Sequence, residues 1–282
     1  MEQLAVLTSR VRLEEDLIFQ ALERQGIPYL HVDERQLIID FTRPPELPFK
    51  VALNRLMSHT RSVYAAYALE AVGVTVLNSG QVIETCGDKI RTTLALALAG
   101  VPVPRTVVAL SPRSAMEAVE EVGYPAVLKP AIGSWGRLLA KVGDRDSAEA
   151  FIEHKEALGS PIHSVFYVQE FINKRDRDIR TIVIGDQVIT AIYRRSEHWI
   201  TNTARGATAE PCPLTPELVK LSVDAAAAVG GGLLAVDLIE RPDGELVVTE
   251  INHTMEFHGL VKGTGINLAD HIAEYAGEVL NR

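Results

Sequence analysis

Short apolar runs alternate with helically spaced ones over the first 85 residues. Residues 4–7 form an unbroken apolar run of strand length. Residues 13–25 place Leu17, Ala21 and Leu22 at helical spacing, and Gly26 follows as a helix-ending residue. Residues 28–32, 51–53 and 74–77 read as further strands, and residues 62–72 as a helix ending at Gly73. This β-α-β alternation predicts a small parallel sheet with helices over it, ending near residue 85. Ligands of open α/β sheets bind beyond the carboxyl ends of strands. Arg55 and His59, just after the third strand, are therefore candidate substrate contacts, with an ordinary polar loop as the alternative.

The rhythm changes after residue 88. Residues 90–99 read as a helix closed by Gly100, and Pro102 and Pro104 impose an extended stretch. A strand at 107–110 leads into a helix at 111–122, with Ser111 as N-cap before Pro112. Residues 126–130 form a strand that ends in Lys129. A small loop of Gly133, Ser134, Trp135, Gly136 and Arg137 follows, then a strand at 138–142 and a helix at 148–158. The P-loop spacing is absent and no helix follows the loop. A glycine hairpin loop can still fold over phosphates, because its backbone N–H groups are unobstructed. Lys129 would then meet phosphate oxygens as a point charge; a solvated strand-end lysine is the other reading.

Residues 166–172 are a strong apolar strand carrying Gln169 and Glu170, and strands follow at 181–184 and 187–193. Arg194 and Arg195 close the last of these, and Arg205 follows in a polar loop. The three suggest a local basic patch suited to phosphate or carboxylate partners, against a default of solvated arginines. A helix at 215–228 ends in three glycines, and residues 268–280 form a terminal amphipathic helix. Between them lies the stretch that organises the chain. An apolar run carrying Asp237, a turn at Pro242, Asp243 and Gly244, and a second apolar run carrying Glu250 and Asn252 read as a β-hairpin. Strand residues alternate faces, so Glu250 and Asn252 share one, and pairing brings Asp237 near it. Two carboxylates and an amide oxygen suit Mg²⁺, which takes substrate phosphates among its other ligands. Solvated acids on an outer face remain the alternative at this point.

Composition narrows the classes. The 282 residues are 47% hydrophobic and 23% charged, as in an ordinary globular protein with room for two or three modules. A net charge of −9 argues against general nucleic-acid binding. Two cysteines without a CxxC pair argue against a disulfide framework or structural zinc. His198, His253 and His258 lack metal-ligand spacing, and Ser9, Ser79 and Ser134 lack a GxSxG context. No apolar stretch is long enough to span a bilayer and no signal peptide opens the chain, so a cytoplasmic protein without membrane or nucleic-acid partners is expected.

The ordered set Lys89, Lys129, the 133–137 loop, Gln169, Glu170, Asp178, Arg180, Arg194, Asn202, Asp237, Glu250 and Asn252 resembles that of ATP-grasp ligases over essentially the whole chain. Within that superfamily the runs CGDK, VLKPAIGSWGRLLAKV, QEFI, DIRTIVIGD, AIYRRSEHWITNTARG and EINHTMEF are similar to the RimK-like branch, and to its lysine-pathway LysX and arginine-pathway ArgX types. The resemblance implies an α/β and α+β architecture: an ATP-grasp fold with an N-terminal preATP-grasp parallel sheet (1–85), a central subdomain (86–165) and a C-terminal subdomain (166–282). It implies ATP and Mg²⁺, two ions, as cofactors. Lys89 and Lys129 would hold phosphates, and the loop from Gly133 through Ser134, Trp135 and Gly136 to Arg137 would cover them. Gln169, Glu170 and Ile172 would contact adenine, Asp178 the ribose, and Asp237, Glu250 and Asn252 the metal. Arg180, Arg194 and Asn202 would face the phosphates or the reacting carboxylate, with Arg194 as oxyanion stabiliser.

The implied reaction joins the α-amino group of α-aminoadipate to the C-terminal glutamate of a small acidic amino-group carrier protein of the LysW type. A carboxylate is a poor acyl donor, so the γ-phosphoryl group first converts it to an acyl phosphate, which the neutral amine attacks. Arg194, Arg195 and Arg205 would draw in the acidic carrier. Substrate contacts are expected from Arg55, His59, Arg194, Arg195, Asn202, Thr203, Arg205, Asn252, Thr254, Gly259, Thr264 and Gly265. Gly259 replaces an expected polar residue, which keeps glutamate, or both amino acids, open as substrate. A different RimK-like glutamate ligase and a nucleotide-binding module without turnover are further alternatives. The apolar terminal helix suits a homo-oligomer, dimer or tetramer.

Overall fold

The computed structural model describes residues 3–133, 138–201 and 206–282. Its first sheet is parallel, with β1 (Gln3–Thr8), β2 (Tyr29–Asp33), β3 (Phe49–Asn54) and β4 (Thr75–Leu77) in the order β2-β1-β3-β4. Helices α1 (Leu13–Arg24) and α2 (His59–Ala71) connect the strands. The apolar run of β1 is continuous because both faces are covered. Leu4 and Val6 join a core with Ile18 and Leu22 of α1, while Ala5 and Leu7 join one with Ala66 and Leu69 of α2.

A short helix, α3 (Gly80–Gly87), stands where the sequence suggested only a turn. The Ser79 hydroxyl caps it by accepting from the Val82 N–H at 3.3 Å. Helix α4 (Lys89–Leu98) follows, and Asp88 Oδ1 accepts from the N–H groups of Ile90 (2.8 Å) and Arg91 (3.2 Å).

The second sheet contains β5 (Thr106–Ala109), β6 (Ala126–Lys129), β7 (Ala140–Val142) and β8 (Phe166–Glu170), antiparallel in the order β5-β8-β6-β7. Helices α5 (Pro112–Val122) and α6 (Arg145–Ala157) cover it through Ala115, Val119, Ala148 and Ile152. Strand β8 was expected to open the third module; its hydrogen bonds place it inside this sheet, between β5 and β6.

The third sheet holds β9 (Arg177–Ile184), β10 (Gln187–Arg195), β11 (Thr208–Pro211), β12 (Leu233–Glu240) and β13 (Leu246–Asn252), in the order β11-β10-β9-β12-β13. Helix α7 (Pro216–Ala228) covers one face with Leu218 and Ala225, and Leu96 of α4 packs beside it. The opposite face presents Ile182, Ile184, Leu233 and Ala235 to Leu268 and Ile272 of α9 (Leu268–Leu280), in the same core as Leu4 and Val6 of β1. The terminal helix thus fills the space between the first and third sheets. A short α8 (His258–Thr264) precedes it.

Asn78 ties the same two sheets by hydrogen bonds. Its Nδ2 donates to the carbonyls of Leu233 (2.9 Å) and His253 (2.8 Å), and its Oδ1 accepts from the Leu233 N–H at 2.6 Å. Gly232 makes room for it: φ is +105°, and an added Cβ would lie 2.1 Å from Asn78 Oδ1.

Candidate active site

The three sheets surround a cleft of about 480 Å³. Its charged floor follows from strand periodicity. On β9, Ile182 and Ile184 face the α9 core, so Asp178 and Arg180, two and four residues earlier, leave the same face where that core ends. Cross-strand register then sets Arg180 opposite Asp237, Asp178 opposite Arg194, and Asp237 opposite Glu250.

The side chains interlock. Arg180 grips Asp237 through Nε (2.7 Å) and Nη2 (2.8 Å), and Arg194 Nη2 lies 3.1 Å from the same carboxylate. Arg194 also donates to Asp178 through Nε (2.6 Å) and Nη2 (2.8 Å). Burial opposes charge on Asp237, yet Arg180 and Arg194 hold its carboxyl below the usual range. Burial likewise opposes the Arg194 cation, but Asp237 and Asp178 raise its pKa. These are bidentate charge-assisted pairs, which fix orientation as well as charge.

Two lysines from the second sheet's side face this floor. Lys129, at the end of β6, donates from Nζ to Gln169 Oε1 at 2.7 Å, and burial pushes its pKa down to about 8. Gln169 in turn donates to the Tyr167 hydroxyl (2.8 Å) and Thr106 Oγ1 (3.0 Å), which fixes its amide. Lys89, the first residue of α4, donates to the Gly133 carbonyl at 2.7 Å and lies 3.5 Å from Glu250 Oε1. A third lysine, Lys174, donates to Thr201 Oγ1 at 2.5 Å and stands 3.6 Å from Asp178; burial lowers its pKa. The sequence around Lys174 pointed to no site role. Only the loss of solvent inside the cleft distinguishes it.

The cleft brings together His59, Lys89, Lys129, Gly133, Gln169, Glu170, Ile172, Asp178, Arg180, Arg194, Asp237, Glu250, Asn252 and Thr254. Several expected roles need correction. Arg55 is fully buried, with Nε 3.1 Å from Glu15 Oε1 and Nη2 donating to the Met255 carbonyl at 3.1 Å, so it does not reach the cleft. Asp178 accepts from Arg194 at both oxygens and from Thr201 at Oδ2, so a ribose hydroxyl would share the carboxylate with these donors. The Glu170 carboxylate is held by Arg241 and by the Arg105 N–H (2.8 Å), so only the backbone there suits adenine. Arg195 pairs with Glu210 at 2.7 Å and, like Gly259, Thr264 and Gly265 on α8 and its cap, lies outside the cleft lining. With Arg194 buried and Arg195 paired, these two do not make an exposed basic patch. Ser134, Trp135, Gly136, Arg137, Asn202, Thr203 and Arg205 lie outside the described residues. Arg12, Phe171 and Trp199 also line the cleft, and the sequence singled out none of them.

The donor set suits Mg²⁺: Asp237 and Glu250 are register partners, and Asn252, next on the same face of β13, lines the cleft with them. The two arginines on Asp237 act as counter-charges that phosphate oxygens could draw away. Among the described residues no group of three or more His, Cys, Asp or Glu side chains is placed to hold a metal; Asp237, Glu250 and the amide of Asn252 are the residues that would hold one.

A nucleotide-sized cleft between two antiparallel sheets, walled by paired lysines and floored by carboxylates, defines an ATP-dependent carboxylate–amine ligase of the ATP-grasp class. The chain belongs to the RimK-like ATP-grasp family: that family's domain model matches residues 86–276, and the LysX preATP-grasp domain matches residues 4–85. It is 36% identical over 278 residues to the glutamate–LysW ligase ArgX of Sulfurisphaera tokodaii, covering 98% of both chains. It is 37% identical over 271 residues to the α-aminoadipate–LysW ligase LysX of Saccharolobus solfataricus, covering 95% of this chain and 98% of that one. A crystal structure of a RimK domain ATP-grasp protein from Sphaerobacter thermophilus superposes with a TM-score of 0.81 at 29% identity, over 97% of this chain and 98% of that one.

Proposed function

We propose that this ligase joins the α-amino group of α-aminoadipate to the C-terminal glutamate side chain of a LysW-type carrier protein, through an acyl phosphate, in lysine biosynthesis. The observation that carries the reading is the joining in one cleft of Lys89 and Lys129 with the Asp237, Glu250 and Asn252 set, in a chain matched end to end by carrier-protein ligases. Lys89 and Lys129 would bind the ATP phosphates, and Mg²⁺ on Asp237, Glu250 and Asn252 would neutralise charge on the transferred oxygens. Arg180 and Arg194, pre-aimed by Asp237 and Asp178, would stabilise the acyl phosphate and the oxyanion formed when the amine adds to it. The amine must arrive neutral, and phosphate leaves; no protein nucleophile is required.

Glutamate is the second reading, because ArgX of Sulfurisphaera tokodaii matches as much of the chain as LysX of Saccharolobus solfataricus does. The two amino acids differ by one methylene, worth about 1–3 kcal/mol of discrimination. The test is ADP release with Mg-ATP and a LysW-type carrier, comparing the two. Faster release with aminoadipate is the expected result; preference for glutamate would assign arginine biosynthesis, and no release with either would overturn the carrier reading. Glu250→Gln is expected to lower turnover by about 10²-fold or more while leaving the melting temperature near that of the parent.

A further inference from the structure

The first sheet has the strand order β2-β1-β3-β4, so its connections diverge to opposite sides between β1 and β3. The crevice beyond the carboxyl ends of two such strands is where open α/β sheets hold ligands. Arg12 follows β1 there, and Leu56, Met57 and His59 follow β3; all four line the cleft. This part of the wall is far along the chain from the lysines and takes no part in the phosphate chemistry described above.

Arg12 is mounted with care. The Glu15 carboxylate, itself fully buried, accepts from the Arg12 backbone N–H (3.1 Å), Nε (2.8 Å) and Nη2 (2.6 Å). Arg55 holds Glu15 from behind. One arginine, buried and silent, thus aims another. Among the described residues the remaining nitrogen, Nη1, meets only Glu256 Oε1, at a long 3.4 Å, and the Glu256 side chain is 41% exposed. Across the same crevice, His59 Nδ1 is buried without a hydrogen-bond partner, and its ring lies 6.0 Å from that of His253. Gly87 lets this ring sit close, since a Cβ there would fall 1.9 Å from His59 Cε1. Burial pushes the pKa of the His59 ring down, so it is neutral near pH 7.

We propose that Arg12 is the receptor for the side-chain carboxylate of the acceptor amino acid, and that Glu256 occupies its Nη1 until that carboxylate displaces it. The inference rests on the acidic amino-acid substrate proposed above. The geometry favours exchange: a weak, half-exposed carboxylate partner is replaced by an equivalent one, while Glu15 keeps the guanidinium in place. Glu256 also makes the subsite selective, because a neutral side chain gives Arg12 no better partner than the one it already has.

The test is calorimetric titration of the full chain with glutamate, α-aminoadipate and glutamine, in the presence of Mg²⁺ and a non-hydrolysable ATP analogue. Binding is read without carrier or turnover, so a chain that binds acids but fails to ligate them overturns the ligation reading alone. The parent chain is expected to bind the acids more tightly than glutamine. Arg12→Gln should weaken acid binding by about tenfold or more, collapsing the acid-to-amide ratio, with ATP-analogue affinity unchanged. Glu256→Gln, which touches no core contact, should tighten acid binding by about two- to fivefold, about 0.4–1 kcal/mol at 1.4 kcal/mol per tenfold. An unchanged ratio in Arg12→Gln, weaker acid binding in Glu256→Gln, or a parent chain that does not prefer acids to glutamine would each overturn the assignment.

Discussion

Lys129 shows how one residue carries a pH dependence. Its ammonium is buried beside Gln169, and burial brings its pKa to about 8 against an ordinary value near 10.5. Only the charged form attracts phosphate. Below pH 8 the lysine enters the complex already protonated; above it, binding must first recruit a proton. Affinity for Mg-ATP should therefore hold steady from pH 6 to 7.5 and fall by up to about tenfold per unit above 8. Titrations across that range check this, and Lys129→Met should bind weakly with a nearly flat profile. Lys129, Asp237, Glu250 and Asn252 were legible in the sequence because each ends or punctuates an apolar strand, where a charge has few structural reasons to be. Arg55 was legible for the same reason and misled, because its partner Glu15 lies in a helix that no local pattern connects to it. Whether a strand-end charge meets a ligand or a buried counter-charge depends on the tertiary partner.

At the scale of the element, the hairpin of β12 and β13 could be read directly, from two apolar runs around a Pro-Asp-Gly turn, though not its register irregularity between Asp237 and Leu238. Helix α3 could not, since its glycine ends resemble turn residues and only the Ser79 cap marks its start. Strand β11 was missed as well; its sequence Thr208–Pro211 has no apolar run, and it exists as an edge to β10. The joint between elements was equally hidden. Gly232 combines a positive φ with contact to Asn78, so Gly232→Ala is expected to destabilise the fold by about 1–3 kcal/mol, measured as a lower denaturation midpoint. A midpoint within error of the parent would show that Asn78 can move aside at no cost.

The molecule as a whole is three sheets, of which the first and third share one core and the second has its own. The change of rhythm near residue 88 marks where the first sheet gives way to the others, but it does not fix which strands pair. The partners of β8 are β5 and β6, and α4 packs with α7 on the third sheet, pairings set by distant segments. Ile272 of α9 touches the core common to the first and third sheets and is fully buried. Ile272→Ala should cost about 2–5 kcal/mol. Because the core is shared, calorimetry should show one transition moving down intact, where independent sheets would split it into two. The apolar face of α9 is buried in this core; among the described residues no helix is long and apolar enough to cross a membrane.

The position of α9 also bears on how the protein is made. Its Asp270 lies against Arg24 of α1, 246 residues upstream. While the ribosome is still producing the second and third sheets, β1 and α1 have already emerged with the Leu4, Val6, Ile18 and Leu22 side uncovered. At about 5–20 residues per second that side waits on the order of 10–50 s for its cover. The first sheet is synthesised before the other two and is completed only with α9, which makes nascent chains the form of this protein most in need of a chaperone.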